Sequence, residues 1–223
     1  MKKILIALFG IMMISGARAD LSAVKVFAGG DFSLTGVVWD GEVKKFAKQE
    51  GVDLATVHNG LGALLGVRYA TRNTYNIGAT LFYDYMLSSK GKINSNVVFY
   101  DEYSNEYRYS KYSTGFKTFG VTLDAYIRLF KQNYTYNNRG DLVLGVGPVR
   151  IVERADADVS VSGTVTTIKA DDYDSGLVVK LGYNGQLDQN WDWFVHGRYF
   201  FIPTGGNDID GLLNLSVGVK YNF

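Results

Sequence analysis

From Tyr75 to Leu87 the side chains alternate without interruption. Tyr75, Ile77, Ala79, Leu81, Tyr83, Tyr85 and Leu87 share one face, and Asn76, Gly78, Thr80, Phe82, Asp84 and Met86 the other. A period of two marks a strand, and this one exceeds the roughly 9–11 residues with which a tilted strand crosses a bilayer. The same two-faced pattern recurs near 23–34, 60–70, 115–130, 141–153, 176–187, 191–203 and 211–223, so eight strands are predicted. Glycine at 26 residues, tyrosine at 16 and only two prolines suit strands joined by tight turns.

The chain begins with "MKKILIALFGIMMISGARA", in which basic Lys2 and Lys3, an apolar run from Ile4 to Ile14 and the small-x-small Ala17-Arg18-Ala19 form a secretory signal peptide. Cleavage is expected before Asp20, leaving residues 20–223 as one domain. Loss of Lys2, Lys3 and Arg18 takes the formal charge from +1 to −2, with both signs dispersed, which gives nucleic-acid binding no support. Cysteine is absent and His58 and His196 are the only histidines. A disulfide framework, a thiolate site and a thiol nucleophile are excluded, and neither a metal centre nor any other cofactor is expected.

Connections alternate in length. They are long at about 35–59, 88–114 and 154–175, and short at "TRNT" (71–74), "KQNYTYNNR" (131–139) and "DQN" (188–190), with a modest "TGGNDIDG" (204–211) before the last strand. Long loops therefore gather at one end, as in bacterial outer-membrane barrels with short periplasmic turns and long external loops. Both termini then belong to the periplasmic side. In the fifth strand Leu142, Leu144 and Val146 alternate, but Arg150 falls in their phase and Val149 and Ile151 do not, which predicts a bulge at Pro148.

A soluble barrel would turn its apolar face inward. Here the apolar face carries almost no charge, as in Leu61, Ala63, Leu65, Val67 and Tyr69, while the opposite face collects Gly60, Gly62, Gly66, Gly78, Gly120, Gly182 and Gly218. Interior glycine weakens a strand unless something must come close to it, which fits a crowded narrow lumen. Aromatics form two bands: Tyr69, Tyr75, Trp191, Trp193, Tyr221 and Phe223 near one end, Tyr83, Tyr85, Phe119, Tyr199 and Phe201 toward the other. Such bands are the girdles of a membrane barrel.

The ending "SVGVKYNF" places Leu215, Val217, Val219, Tyr221 and Phe223 at alternate positions. It resembles the carboxy-terminal signature of bacterial outer-membrane barrels, which implies recognition by the barrel-assembly machinery. The mature chain as a whole resembles the small eight-stranded outer-membrane proteins of the OmpX, OmpA-barrel, OmpW and opacity-protein kind. The resemblance implies an all-β, eight-stranded, antiparallel up-and-down transmembrane barrel, monomeric, in contact with outer-membrane lipid and lipopolysaccharide.

The lumen face is expected to carry a charge network of Lys25, Asp31, Arg68, Asp84, Asp124, Arg128, Lys180, Asp192, His196, Arg198 and Lys220, because a charge in a narrow barrel must be paired or hydrated. A gated ion path is the alternative use of the same groups. Phe82, Met86, Phe116, Phe200 and Leu212 point inward near the outer end, as an apolar plug or a pocket for a small hydrophobic molecule of the kind the OmpW resemblance implies. Outer-membrane lipid-modifying enzymes are a remote alternative: His196 is followed by Gly197 and Arg198 rather than by a serine two residues on, and His58, in or near the first long loop, has no Asp-Ser pair in the second. In the loops, "NVVFYDEYSNEYRYSKYSTG" (96–115) is tyrosine-rich, and "DVSVSGTVTTIKADDYDSG" (158–176) reads as a hairpin turning at Ser162-Gly163. A non-enzymatic surface role through these loops, by adhesion or host or matrix contact with an extracellular ligand, is the expected function.

Overall fold

The computed structural model describes residues 24–49, 51–69, 75–93, 99–100, 106–129, 140–161, 164–203 and 209–223. The expected leader (1–19), the turns at 71–74 and 131–139, most of 204–211, Ser162-Gly163 and much of the tyrosine-rich loop lie outside them. Eight long strands build the molecule: β1 (Val24–Trp39), β2 (Val57–Tyr69), β3 (Tyr75–Ile93), β4 (Glu106–Arg128), β5 (Gly140–Val161), β6 (Thr164–Gln186), β7 (Trp191–Phe201) and β8 (Ile209–Asn222). Each pairs antiparallel with its sequence neighbour, and β1 pairs with β8 from Phe27↔Asn222 to Trp39↔Ile209, which closes the ring. Closure removes the free edges that an open sheet would expose.

Inward and outward positions obey the period of two. Along β2, His58, Gly60, Leu64 and Gly66 are buried while Leu61 and Leu65 are exposed. The exposed set forms an apolar belt around the ring, with Ile77, Leu123, Leu144, Leu181, Val195 and Val217 among its members. Tyr75, Trp191 and Phe223 edge it at the short-turn end, and Tyr83, Tyr85, Phe119 and Phe201 toward the long-loop end. No helix among the described residues is long and apolar enough to cross a membrane; the strands cross it. The chain is a transmembrane β-barrel.

The rim at the long-loop end is oblique. Pairing of β6 with β7 stops at Leu177↔Phe201, whereas β5 and β6 stay paired as far as Val161↔Thr164, and β4 follows β5 to Tyr107↔Val161. A sheet led by β4, β5 and β6 thus rises beyond the belt on one side. The predicted hairpin is there, its arms paired as far as Val161↔Thr164. The alternation marks these strands only as far as the belt, because above it both faces meet water and the pattern fades although the ladder continues. Strands projecting past the membrane, as the hairpin implies, are what the register shows. The segment 35–59, expected as loop, is instead the end of β1, helix α1 (Gly41–Gln49) and the start of β2. Asp40 caps α1, its Oδ1 accepting from the Glu42 amide at 2.7 Å and the Val43 amide at 3.4 Å.

The bulge expected at Pro148 is absent. Pairing of β5 with β6 runs in one register from Gly140↔Gly185 through Pro148↔Leu177 to Val161↔Thr164. The reversal of polarity that suggested it has another cause. Arg150 stays in the outward phase of Leu144 and Val146, but it stands above the belt with its guanidinium 5.3 Å from the centre of the Tyr173 ring, while Val149 and Ile151 turn into the core. The register shifts that do occur lie between Val38 and Trp39, between Met86 and Ser89, and between Tyr109 and Lys111.

Candidate functional site: the barrel lumen

Each inward charge reaches the lumen because its strand parity puts it there. Arg198 on β7 crosses to Asp84 on β3 in a two-pronged contact of 3.0 and 2.9 Å, lies 3.7 Å from Asp31 on β1, and donates to Ser216 on β8 at 3.3 Å. Thr118 also donates to Asp84, at 2.8 Å, and the guanidinium rests 4.9 Å from the Phe82 ring centre. Gly62 makes this crossing possible: a Cβ there would meet the carboxylates of both Asp31 and Asp84.

Toward the short-turn end Lys180 donates to Asp124 Oδ2 at 2.8 Å and to Thr122 at 3.1 Å and forms an ion pair with Asp124 Oδ1 at 2.7 Å, while Thr80 and Tyr126 donate to the same carboxylate. Arg68 and Arg128 share Asp141, at 2.7 and 3.9 Å. Lys220 lies 3.8 Å from Asp192 and over the Phe27 ring at 4.7 Å. His196 shares a 2.9 Å hydrogen bond with Asn184 and stacks on Phe194. Lys25 is half-buried, across the ladder from Arg68, with no ion-pair partner among the described residues.

Ion pairs of this kind gain from the low dielectric only when geometry is good and the remaining lone pairs are served. Asp84 meets both conditions, whereas Asp124 has Oδ2 served by several donors and its Oδ1 buried without a hydrogen bond. The sequence reading did not single out Asp141, although it forms ion pairs with two arginines. It stands second in its strand, beside Gly140, where no alternation had yet been established, and only its parity with Val143 could have marked it. Tyr126, Thr80, Thr118 and Asn184 were passed over because uncharged polar residues on a lumen face carry no distinguishing pattern.

The apolar residues Phe82, Met86, Phe116, Phe200 and Leu212 come together and are fully buried, with Trp39, Val149, Ile151, Val178 and Ile209 in the same cluster. Val43 of α1 and Leu54 pack against it, and Trp39 Nε1 donates to the Ala55 carbonyl at 2.9 Å, so the segment after β1 sits on the cluster. The apolar filling is not confined to the outer end, since Phe27 and Phe194 belong to it too. His58 lies on β2, not in a loop. It is buried with its edge on Phe116 and its Nδ1 3.2 Å from the Leu87 carbonyl.

At the other end the last residues are used in full. The Phe223 amide donates to the Val26 carbonyl at 2.9 Å, the Asn222 amide to Asn190 at 2.7 Å, and Tyr221 packs between the Trp191 and Phe223 rings with centroids 5.1 Å from each. Leu215, Val217 and Val219 face outward in the belt.

No family model matches the sequence and no curated protein matches it. Among solved structures the chain is similar to Ail, the attachment invasion locus protein of Yersinia pestis, at 13% identity and a TM-score of 0.49, over 89% of this chain and 98% of that one. It is similar to Neisserial surface protein A at 14% identity and a TM-score of 0.41, over 90% and 97%. The N-terminal β-barrel domain of Pseudomonas aeruginosa OprF gives 11% and 0.40, over 89% and 97%. The barrel described here rests on its own strand register and apolar belt rather than on these likenesses.

Proposed function

We propose that this chain is a non-enzymatic integral protein of a bacterial outer membrane, exported behind a cleaved leader at residues 1–19 and inserted with both termini in the periplasm, that uses its projecting sheet for contact with an external surface or ligand. The observation that carries the reading is the oblique rim. A barrel needs its strands only as far as the belt, yet β4, β5 and β6 continue beyond it, with Val165, Ile168 and Tyr173 exposed on β6. Rigid scaffolds that carry exposed extensions commonly bind through them. The test is a chain in which 155–174 is replaced by a two-residue turn. The shortened barrel should fold and insert normally, while adherence of cells displaying it to epithelial monolayers and immobilised matrix protein should fall to that of cells lacking the protein. Undiminished adherence removes this role.

The lumen supports a scaffold rather than a pore. Eight strands enclose an interior about wide enough for side chains, and cross-barrel ion pairs and the apolar cluster occupy it. Planar-bilayer conductance of the refolded barrel should be small or nil. The terminal strand supports recognition by the barrel-assembly machinery at Leu215, Val217, Val219, Tyr221 and Phe223.

A further inference from the structure

The projecting sheet has two side edges, and they are finished differently. On the β4 side, β3 stays paired as far as Gly91↔Tyr112, and above it Phe99↔Tyr107 and Tyr100↔Glu106 cover the strand. On the β6 side, pairing with β7 ends at Leu177↔Phe201. Among the described residues, Thr164 to Gly176 therefore has β5 on one flank and no strand on the other. Every residue from Thr164 to Tyr173 is exposed. Half of the amide and carbonyl groups along such an edge point away from the sheet, a template for another strand.

The sequence of the edge decides which strand fits it. "TVTTIKADDYDSG" (164–176) carries Lys169 and the carboxylates of Asp171, Asp172 and Asp174. Two copies related by a two-fold axis pair antiparallel, and outward residues stay opposite outward residues only when one residue faces its own copy. An axis at Lys169 or Asp171 sets that charge against itself. An axis at Ile168 leaves Lys169 opposite Thr167 and pairs less of the edge. An axis at Ala170, the midpoint of Thr164 to Gly176, uses the whole edge and sets Lys169 opposite Asp171 at two places. Ile168 then meets Asp172, Thr167 meets Tyr173 and Thr166 meets Asp174, so no like charges face each other. The neighbouring strand extends the match. Arg154 stands opposite Asp171, 3.2 Å from it, and Asp156 stands opposite Lys169. Across the seam the outward row reads Arg154, Asp171, then Lys169 and Asp156 of the second copy, alternating in sign, and opposite charges directly across a ladder stabilise it.

We propose that the β6 edge joins the same edge of a second copy of this chain, antiparallel about Ala170, making one continuous sheet from two barrels. Antiparallel edges run in opposite senses along the barrel axis. The second copy is therefore in a facing membrane rather than beside the first, and the contact is one between like cells. The proposal rests on the projecting-sheet reading above and adds to it the partner and the register.

The test uses cells displaying the full-length chain. The wild type should clump with itself. Lys169→Asp and Asp171→Lys each set like charges opposite one another at two places, so either variant alone should lose clumping, and its self-association in detergent, read by sedimentation, should weaken by roughly tenfold or more. Mixed together, the two variants regain both Lys–Asp pairs, and cells of one should clump with cells of the other. Both positions are exposed, so heat-modifiable mobility should stay unchanged. The chain has no cysteine, so Ala170→Cys reads the register directly: with diamide added, clumped cells should yield disulfide-linked dimers, and Val165→Cys, which faces Ser175, should not. Equal clumping by wild type and single variants, no clumping of the mixture, or no linkage through Ala170→Cys overturns the proposal. Adherence of the wild type to epithelial monolayers and matrix protein without clumping overturns the second copy as partner and leaves the surface role standing. Absence of both overturns both.

Discussion

Leu181 in the belt and Ile168 in the projecting sheet are both on β6 and, although only Leu181 has the outward parity, are exposed to nearly the same degree, 55% and 53%. Exposure cannot tell them apart; the medium each faces does. Leu181 belongs to a band from which charge is excluded, whereas Ile168 is followed by Lys169, Asp171 and Asp172. The ion pairs divide the same way. Arg198 and Asp84 are enclosed by the barrel, while Arg154 and Asp171, or Lys111 and Asp158, meet in solvent. One continuous β-ladder therefore runs through two sets of rules, and the same change should have opposite consequences in its two halves.

The largest effect should come from the enclosed pair. Arg198→Ala leaves Asp84 and Asp31 without their cation, and removing one partner of a buried pair typically costs about 3–5 kcal/mol. Denaturant unfolding of the refolded barrel in detergent should register it, whereas Arg154→Ala should leave the midpoint unchanged. Equal losses from both would erase the distinction. Next, Leu181→Arg should destabilise insertion by about 2–4 kcal/mol, the range for a cation facing mid-bilayer lipid, while Ile168→Arg in the same assay has no effect. A cost at Ile168 would show that lipid or a partner covers the sheet.

Gly62→Val tests the crossing itself. A side chain there displaces the carboxylates of Asp31 and Asp84 from Arg198, and overpacking of this kind costs about 1–3 kcal/mol. The same replacement at Gly197, where only the Leu181 carbonyl lies within 4 Å of a Cβ, should cost less. The smallest effect lies at α1. Amide donation, chiefly from Glu42, holds the Asp40 carboxyl below its ordinary value of 3.8. A depressed carboxylate stabilises above that ordinary value and loses its contribution as pH falls through the lower, folded one. Protection of the Glu42 and Val43 amides against exchange, relative to the unstructured rate at the same pH, should therefore fall below about pH 4, with Asp40→Ala abolishing the pH step and Asp40→Asn keeping the cap.

The sequence was readable where one face of a strand met lipid. Ile77 to Tyr85, or Leu177 to Tyr183, announce both strand and orientation, because hydrocarbon tolerates no polar side chain on the outer parity. It became unreadable where that constraint ended. At Arg150 the strand crosses into water and the apolar parity passes from outward to inward, which imitates a bulge. From Thr164 to Asp174 the strand lies in water on both faces, its alternation is lost, and only the turn residues Ser162-Gly163 mark it as one arm of a hairpin. Helix α1 was missed for a different reason. Its nine residues contain three lysines and a glutamate, too short a run for a helical apolar face to stand out, although Asp40 before it, Glu42 in its first turn and Lys48 in its last were legible capping signals. The lumen charges were legible by parity alone; which carboxylate meets which cation depends on distances across the ring, for which a linear pattern holds no information.

The seam between β1 and β8 has a consequence in time. Asn214 donates to Thr35 across 179 positions of sequence, and Asp31 must wait nearly as long for Arg198. A chain made from its N-terminus exposes β1 first and completes it last. Throughout that interval its amide edge and its inward polar groups face whatever medium holds the polypeptide, and the loop to be closed is nearly the whole molecule. Such long-range closure is slow, so the half-made barrel is a long-lived and adhesive species.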